Sequence, residues 1–134
     1  MNVGEEFKTP AEINANTWLP GDAKTFLVGQ LALDQQEFRP GGSKANNCAE
    51  LTISGYRVPD LITGNELGTG EPTCAGGGGL ALWGKVAGKW KVILQVQSEP
   101  ECSDIRKAGW TSTIPKEWPG GECMENGTSV IYKP

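Results

Sequence analysis

Glu50, Tyr56 and Asp60 are the side chains whose types and spacing come nearest to a reactive set. A desolvated aspartate can act as a general base, and a tyrosine hydroxyl beside it can donate a hydrogen bond to the reacting group. All three lie in or beside one strand-like stretch and can line a common cavity. The set is incomplete as chemistry, because the chain has no histidine and hence no His–Asp dyad. It also shows no nucleophile–base constellation. Against the reactive reading stands a plainer one, in which Glu50 and Asp60 are solvated and Tyr56 fills space. Trp110 and Trp118, in loop-rich sequence, are the other candidates, since large rigid aromatics supply contact surface for a ligand. The candidate ligand-binding residues are therefore Tyr56, Asp60, Trp110 and Trp118, with no catalytic residue assigned.

The four cysteines, Cys48, Cys74, Cys102 and Cys123, contain no C-x-x-C pair. With no histidine to join them, a zinc site would need four widely separated thiolates, so no metal is expected. Two disulfides fit better. Of the three connectivities, Cys48–Cys74 with Cys102–Cys123 is favoured because each closes a modest local loop, worth roughly 3 to 4 kcal/mol in the chain-entropy description. Four buried free thiols are the alternative. Disulfides persist in oxidising compartments, which points to an extracellular or cell-envelope location.

Residues 76–79 are four consecutive glycines, a composition that can cradle phosphate. Here no Lys-Ser/Thr follows and a strand comes next, not a helix N-terminus, so a flexible entry or a bulge is the better reading. No cofactor is implied. Twelve basic against sixteen acidic residues give a net charge of −4, which disfavours nucleic acid and anionic membrane as partners. Lys85, Lys89 and Lys91 read as solubilising residues at a hairpin tip. No apolar run is long enough to span a bilayer, no signal peptide is recognised, and Met1 reads as a start placed after a removed leader or anchor.

The elements that must position these residues centre on residues 80–97, LALWGKVAGKWKVILQVQ, which read as two strands turning at Ala87-Gly88. Trp90, Val92, Leu94 and Val96 alternate with Lys91, Ile93, Gln95 and Gln97, the period of a strand with one buried face. A two-residue turn pairs Lys85 with Trp90, Trp83 with Val92 and Ala81 with Leu94. Residues 1–8 read as a polar tether, and residues 9–134 as a single α+β domain. Thr9-Pro10-Ala11-Glu12 predicts a capped short helix, and Asp22 caps the main helix over residues 23–38, with Ala23, Leu27, Leu31 and Phe38 on one broad face that also takes in Phe26. Arg39-Pro40-Gly41-Gly42-Ser43 closes it. Strands are predicted at 48–58 and, more poorly, at 61–67. A short helix is predicted from Cys102 to Ala108, a helical turn at 114–118 and an edge strand at 128–132 after Asn126-Gly127. The triplet Asn126-Gly127-Thr128 also matches a glycosylation acceptor pattern.

Residues 74–123, with Cys-Ala-Gly-Gly, a Trp-bearing strand, Gly-Lys-Trp-Lys, Pro-Glu-Cys, Ile-Pro and a final Cys, resemble the C-terminal part of uncharacterised exported bacterial proteins. The Gly-Lys-Trp hairpin also resembles the last strands of nuclear-transport-factor-like and cystatin-like domains. That resemblance implies a curved antiparallel sheet packed on one main N-terminal helix, a cone or roll, and no particular activity. Three function classes follow: a non-catalytic extracytoplasmic domain of the secreted or envelope-anchored kind binding a small molecule or a protein; a small carboxylate–tyrosine enzyme with a cone-shaped pocket; and a secreted inhibitor presenting residues 119–122. The first is preferred.

Overall fold

The computed structural model describes residues 2–41, 45–71 and 73–134. Among them the elements run β1 (Asn2–Phe7), α1 (Pro10–Ala15), α2 (Gly21–Phe38), β2 (Ala49–Arg57), β3 (Leu61–Thr69), β4 (Gly76–Val86), β5 (Lys89–Val96), α3 (Cys102–Lys107), β6 (Glu122–Glu125) and β7 (Thr128–Ile131). Strands β1 to β5 form one antiparallel sheet in chain order, and β6–β7 is a separate hairpin. The fold is α+β. The sheet is open, with β1 and β5 at its edges, so it does not close into a cone.

Local sequence explains the helices. Thr9 Oγ1 accepts from the Glu12 N–H at 3.2 Å while Glu12 Oε1 accepts from the Lys8 N–H, which starts α1. Helix α2 begins at Gly21, one residue earlier than the expected cap at Asp22, and Asp22 lies inside the first turn with Oδ1 on the Ala23 N–H. Arg39 ends α2 in extended conformation ahead of Pro40, as expected; Gly42 and Ser43 of the predicted stop lie outside the described residues. Gln35 ties α2 to the sheet, its Oε1 accepting from the Cys48 and Ala49 N–H groups while its Nε2 donates to Asn46 O and Ala49 O.

Where a tether is expected at 1–8, residues 2–7 pair with β2 as an edge strand and bury Phe7; Met1 is outside the described residues. The segment at 61–67 that reads poorly as a strand is the middle strand of the sheet. Its irregular composition reflects burial on both faces: Ile62 packs with α2, and Leu61 packs on the opposite side. Residues 114–118 form a turn rather than a helical one.

Both faces of the sheet are covered. Ala23, Leu27 and Leu31 of α2 and Ile13 of α1 bury Leu51, Ile53, Tyr56, Ile62, Ala81 and Trp83 on one side. On the other, Ile105, Trp110, Ile114 and Tyr132 bury Leu61, Leu82, Ile93 and Leu94. That second layer consists of α3 and loop-rich chain, and it is fastened by Tyr132 Oη donating to Trp110 O at 2.5 Å and by the Met124 N–H on Pro100 O at 2.8 Å. The two disulfides are Cys48–Cys74 and Cys102–Cys123. The first ties the start of β2 to the approach to β4, and the second ties α3 to β6.

The β4–β5 hairpin turns at Ala87-Gly88 with φ of 51° and 80°, the left-handed pair that a two-residue hairpin turn requires. Lys85 pairs with Trp90 and Trp83 with Val92, as expected, but Leu82 pairs with Leu94 and Ala81 with Gln95. A β-bulge at Ile93 inserts one residue and reverses the facing of the rest of β5. Trp90 and Val92 therefore face α2, whereas Leu94 and Val96 face α3. The expected single apolar face is thus split between two cores. Trp90 and Val92 are half-buried and Leu94 is buried.

Candidate functional site

The period of α2 carries two polar residues onto its buried stripe, Gln30 and Asp34, in line with Ala23, Leu27 and Leu31. Opposite them on β3, Glu66 shares the α2 side with Ile62, between Gly64 and Gly68. Asp34 is 4% exposed and Glu66 6%. The bulge in β5 brings Gln95 to the same place. Gln30 Nε2 donates to Glu66 Oε1 at 3.1 Å, and Gln95 Nε2 donates to Glu66 Oε2. Asp34 Oδ2 is buried and meets no hydrogen-bond partner among the described residues.

This pair forms one wall of an open cleft of about 390 Å³. Glu37 and Phe38 of α2 continue the wall, while Gln95, Val96, Gln97 and the four glycines 76–79 complete the lining. The glycines matter for shape. Strand β5 stops at Val96, opposite Leu80, so residues 76–79 have β3 on one side and no strand on the other. Gln97 Nε2 reaches that free side and donates to Gly78 O at 2.8 Å. At Gly78, with φ of 131°, a Cβ would stand 2.1 Å from Glu66 O, so the backbone there passes directly against the strand that carries the carboxylate.

Electrostatics divide the two carboxyls. Burial first, then the neighbouring Glu66 and Glu37 charges, push Asp34 up to about 8. Burial also raises Glu66, but the Gln30 amide, which donates to it, and the neighbouring Asp34 carboxyl pull the other way. The indole N–H of Trp83 adds to that pull from outside hydrogen-bonding geometry. Near neutral pH Glu66 is the carboxylate, served by two amides, and Asp34 holds the proton. The arrangement can accept hydrogen bonds from a ligand and can hold or release one proton. Among the described residues, no group of His, Cys, Asp and Glu side chains has the geometry to hold a metal ion.

The residues singled out from sequence lie outside this cleft, and of them Asp60 and Trp110 are joined through Arg57. Tyr56 is 3% exposed in the α2-side core, its ring 5.5 Å from that of Trp18. Asp60, in the β2–β3 turn, pairs with Arg57 at 3.2 Å. Arg57 in turn donates to Thr113 O and lies 5.8 Å from the Trp110 ring, so Asp60 and Trp110 are linked through it. Trp110 is buried on the α3 side with its Nε1 on Thr113 O. Half-buried Trp118 lines a separate, wider groove of about 680 Å³ with Leu80, Pro100, Lys116 and Glu117. Glu50 lines a separate pocket of about 420 Å³ with Lys8, Thr9, Asn47 and Leu67. In residues 119–122, Gly120 and Gly121 are buried, Pro119 is half-buried and Glu122 is exposed.

Asp34, Glu66, Gln30 and Gln95 escape a reading by motif. The signal for two of them is present in α2, where Gln30 and Asp34 interrupt an apolar stripe at helical spacing. For Gln95 no local signal exists, because its facing depends on the bulge. The chain matches no protein-family model, and no curated protein and no solved structure is significantly similar to it.

Proposed function

We propose that this chain is an extracytoplasmic domain, secreted or anchored at the cell envelope, that binds a small ligand in the cleft between α2 and the β3–β4–β5 end of the sheet without catalysing a reaction. The observation that carries the reading is Asp34, buried, lining the cleft and without a donor on Oδ2. Unsatisfied buried polar atoms are uncommon in folded proteins, and one at the wall of a cleft is a contact held open for a ligand. The lining is suited to recognition, with carboxyls, amides and bare glycine backbone converging on one space. The groove at Trp118 is wider but has no such buried, unpartnered group in its lining.

Two disulfides support the exported location. No helix among the described residues is long and apolar enough to cross a membrane. A helix laid over an antiparallel sheet is also in keeping with the cystatin-like resemblance, whose members include binding modules.

The test is an amide NMR screen of the oxidised protein against a fragment library spanning anionic, neutral and cationic compounds. Hits are expected to shift Gly76, Gly77, Gly78, Gly79 and Gln97. A library that shifts only residues around Trp118 would move the site, and one that shifts nothing would remove the binding reading. Turnover of any hit on incubation would replace binding by acid–base chemistry at Asp34 and Glu66.

A further inference from the structure

We infer that the cleft selects a small organic cation carrying N–H donors, an ammonium or guanidinium group, seated against Glu66 and Asp34. This rests on the binding reading above and names the ligand class for it. Three carboxyl residues, Asp34, Glu37 and Glu66, line the cleft, and no Lys or Arg stands among the described residues of its lining. The other side chains of the lining are Phe38, Gln95, Val96 and Gln97, uncharged throughout.

Hydrogen bonding discriminates further. Both oxygens of Glu66 already have one amide donor each, and a carboxylate oxygen has room for a second. Asp34 Oδ2 has none and is buried in a residue only 4% exposed. The wall is therefore rich in acceptors. An anion would meet the charges of Glu66 and Glu37, and a neutral alcohol would leave the buried Glu66 charge uncompensated. An ammonium or guanidinium supplies several N–H donors and a positive charge together. Phe38 offers its ring to such a cation or to the aliphatic stem behind it. The glycine floor leaves space for that stem, because residues 76–79 place no side chain in it.

Cation binding also favours ionisation of Asp34. The groups acting on Asp34 are Glu66 from β3 and Glu37 from its own helix, both acidic. Adding a positive charge among them lowers the cost of a second carboxylate, so binding is accompanied by proton release and strengthens towards alkaline pH.

The experiment uses the oxidised full chain and four-carbon probes that differ in charge: putrescine, butane-1,4-diol and succinate, with guanidinium chloride as a minimal headgroup and calcium chloride as an inorganic control. Amide and Gln side-chain NMR shifts are followed at pH 6 and pH 9. Putrescine and guanidinium are expected to shift residues 76–79 and the side-chain amides of Gln95 and Gln97. Affinity should be at least about tenfold tighter at pH 9 than at pH 6 and at least about tenfold weaker in Glu66→Gln. Asp34→Asn should lose the pH dependence, and both variants are checked for the wild-type amide spectrum away from the cleft. Asp34→Glu, which restores a carboxyl, serves as a second variant should the amide variants unfold. Binding of the diol or succinate at the cleft, or of calcium in preference to the amines, would overturn the cation inference while leaving a ligand site. Putrescine binding that survives Glu66→Gln unchanged would do the same. Silence of every probe and of the wider fragment library would overturn both readings.

Discussion

Asp34 on α2 and Glu66 on β3 share one buried site on unequal terms: Glu66 receives the amides of Gln30 and Gln95, whereas Asp34 Oδ2 receives no donor among the described residues. Two like charges in such a place cannot both ionise cheaply, so one proton is retained. The consequences reach stability as well as binding.

The pH dependence of stability has a definite sign. Asp34 rises from 3.8 to about 8 on folding, so between those values the folded state binds more protons than the unfolded state. Stability is therefore greatest at the acidic end of that window and falls as pH rises towards 8, levelling above it. Thermal unfolding at pH 5, 7 and 9 should show a declining midpoint, at about 3–5 °C for each kcal/mol lost. Asp34→Asn, which cannot ionise, should flatten that decline and exceed the wild type at pH 9. A midpoint that rises from pH 5 to pH 9 in the wild type would show that Asp34 is ionised throughout.

Leu94 anchors the α3-side core rather than the α2-side core, because of the bulge at Ile93. Leu94→Ala should cost roughly 2–5 kcal/mol in chemical denaturation. Trp90→Ala removes a half-buried ring tilted against Phe26, 6.4 Å between centroids, and should cost less than the figure for a fully buried aromatic. Equal costs from a shared packing layer, revealed by strong non-additivity of the double variant, would contradict the split of the two residues between opposite faces.

Gly78 passes against Glu66 with a left-handed φ of 131° and no room for a Cβ, 2.1 Å from Glu66 O. Gly78→Ala should destabilise by about 1–3 kcal/mol or more and disturb the Gln97 contact to Gly78 O. Gly77→Ala meets no neighbour within 4 Å, although its φ of 100° is strained for alanine. The expected order is thus Gly78 worse than Gly77, read by urea titration.

The second layer depends on its staple. Cys102 and Cys123 close a separation of 21 residues, and loss of the bridge should cost roughly 3 kcal/mol. Residues 103–122 have little regular structure beyond α3 to hold them. Hydrogen exchange with and without reductant should show this stretch losing protection before the β2–β3–β4 ladder. Non-reducing peptide maps should give only the two local pairings.

Much of the architecture is legible in local sequence because its causes are local. Thr9-Pro10-Ala11-Glu12 caps a helix through side chains a turn apart, Ala87-Gly88 and Asn126-Gly127 adopt the positive φ values that their turns need, and the paired cysteines close short loops. Facing is different. The period of two in β5 is an accurate description of the sequence, yet one bulged residue, Ile93, hands Leu94 to one core and Gln95 to the other side. Bulge placement depends on how β4 and β5 must twist to serve two covered faces, which no stretch of either strand states by itself.

The sequence alone thus determined the helices, the hairpin turns and the covalent framework, since each rests on neighbours in the chain. Tertiary structure alone decided the candidate site. Asp34, Glu66 and Gln95 come from three elements distant in sequence, and their protonation is set by burial and mutual repulsion, quantities that exist only once α2 lies over β3 and the bulged β5.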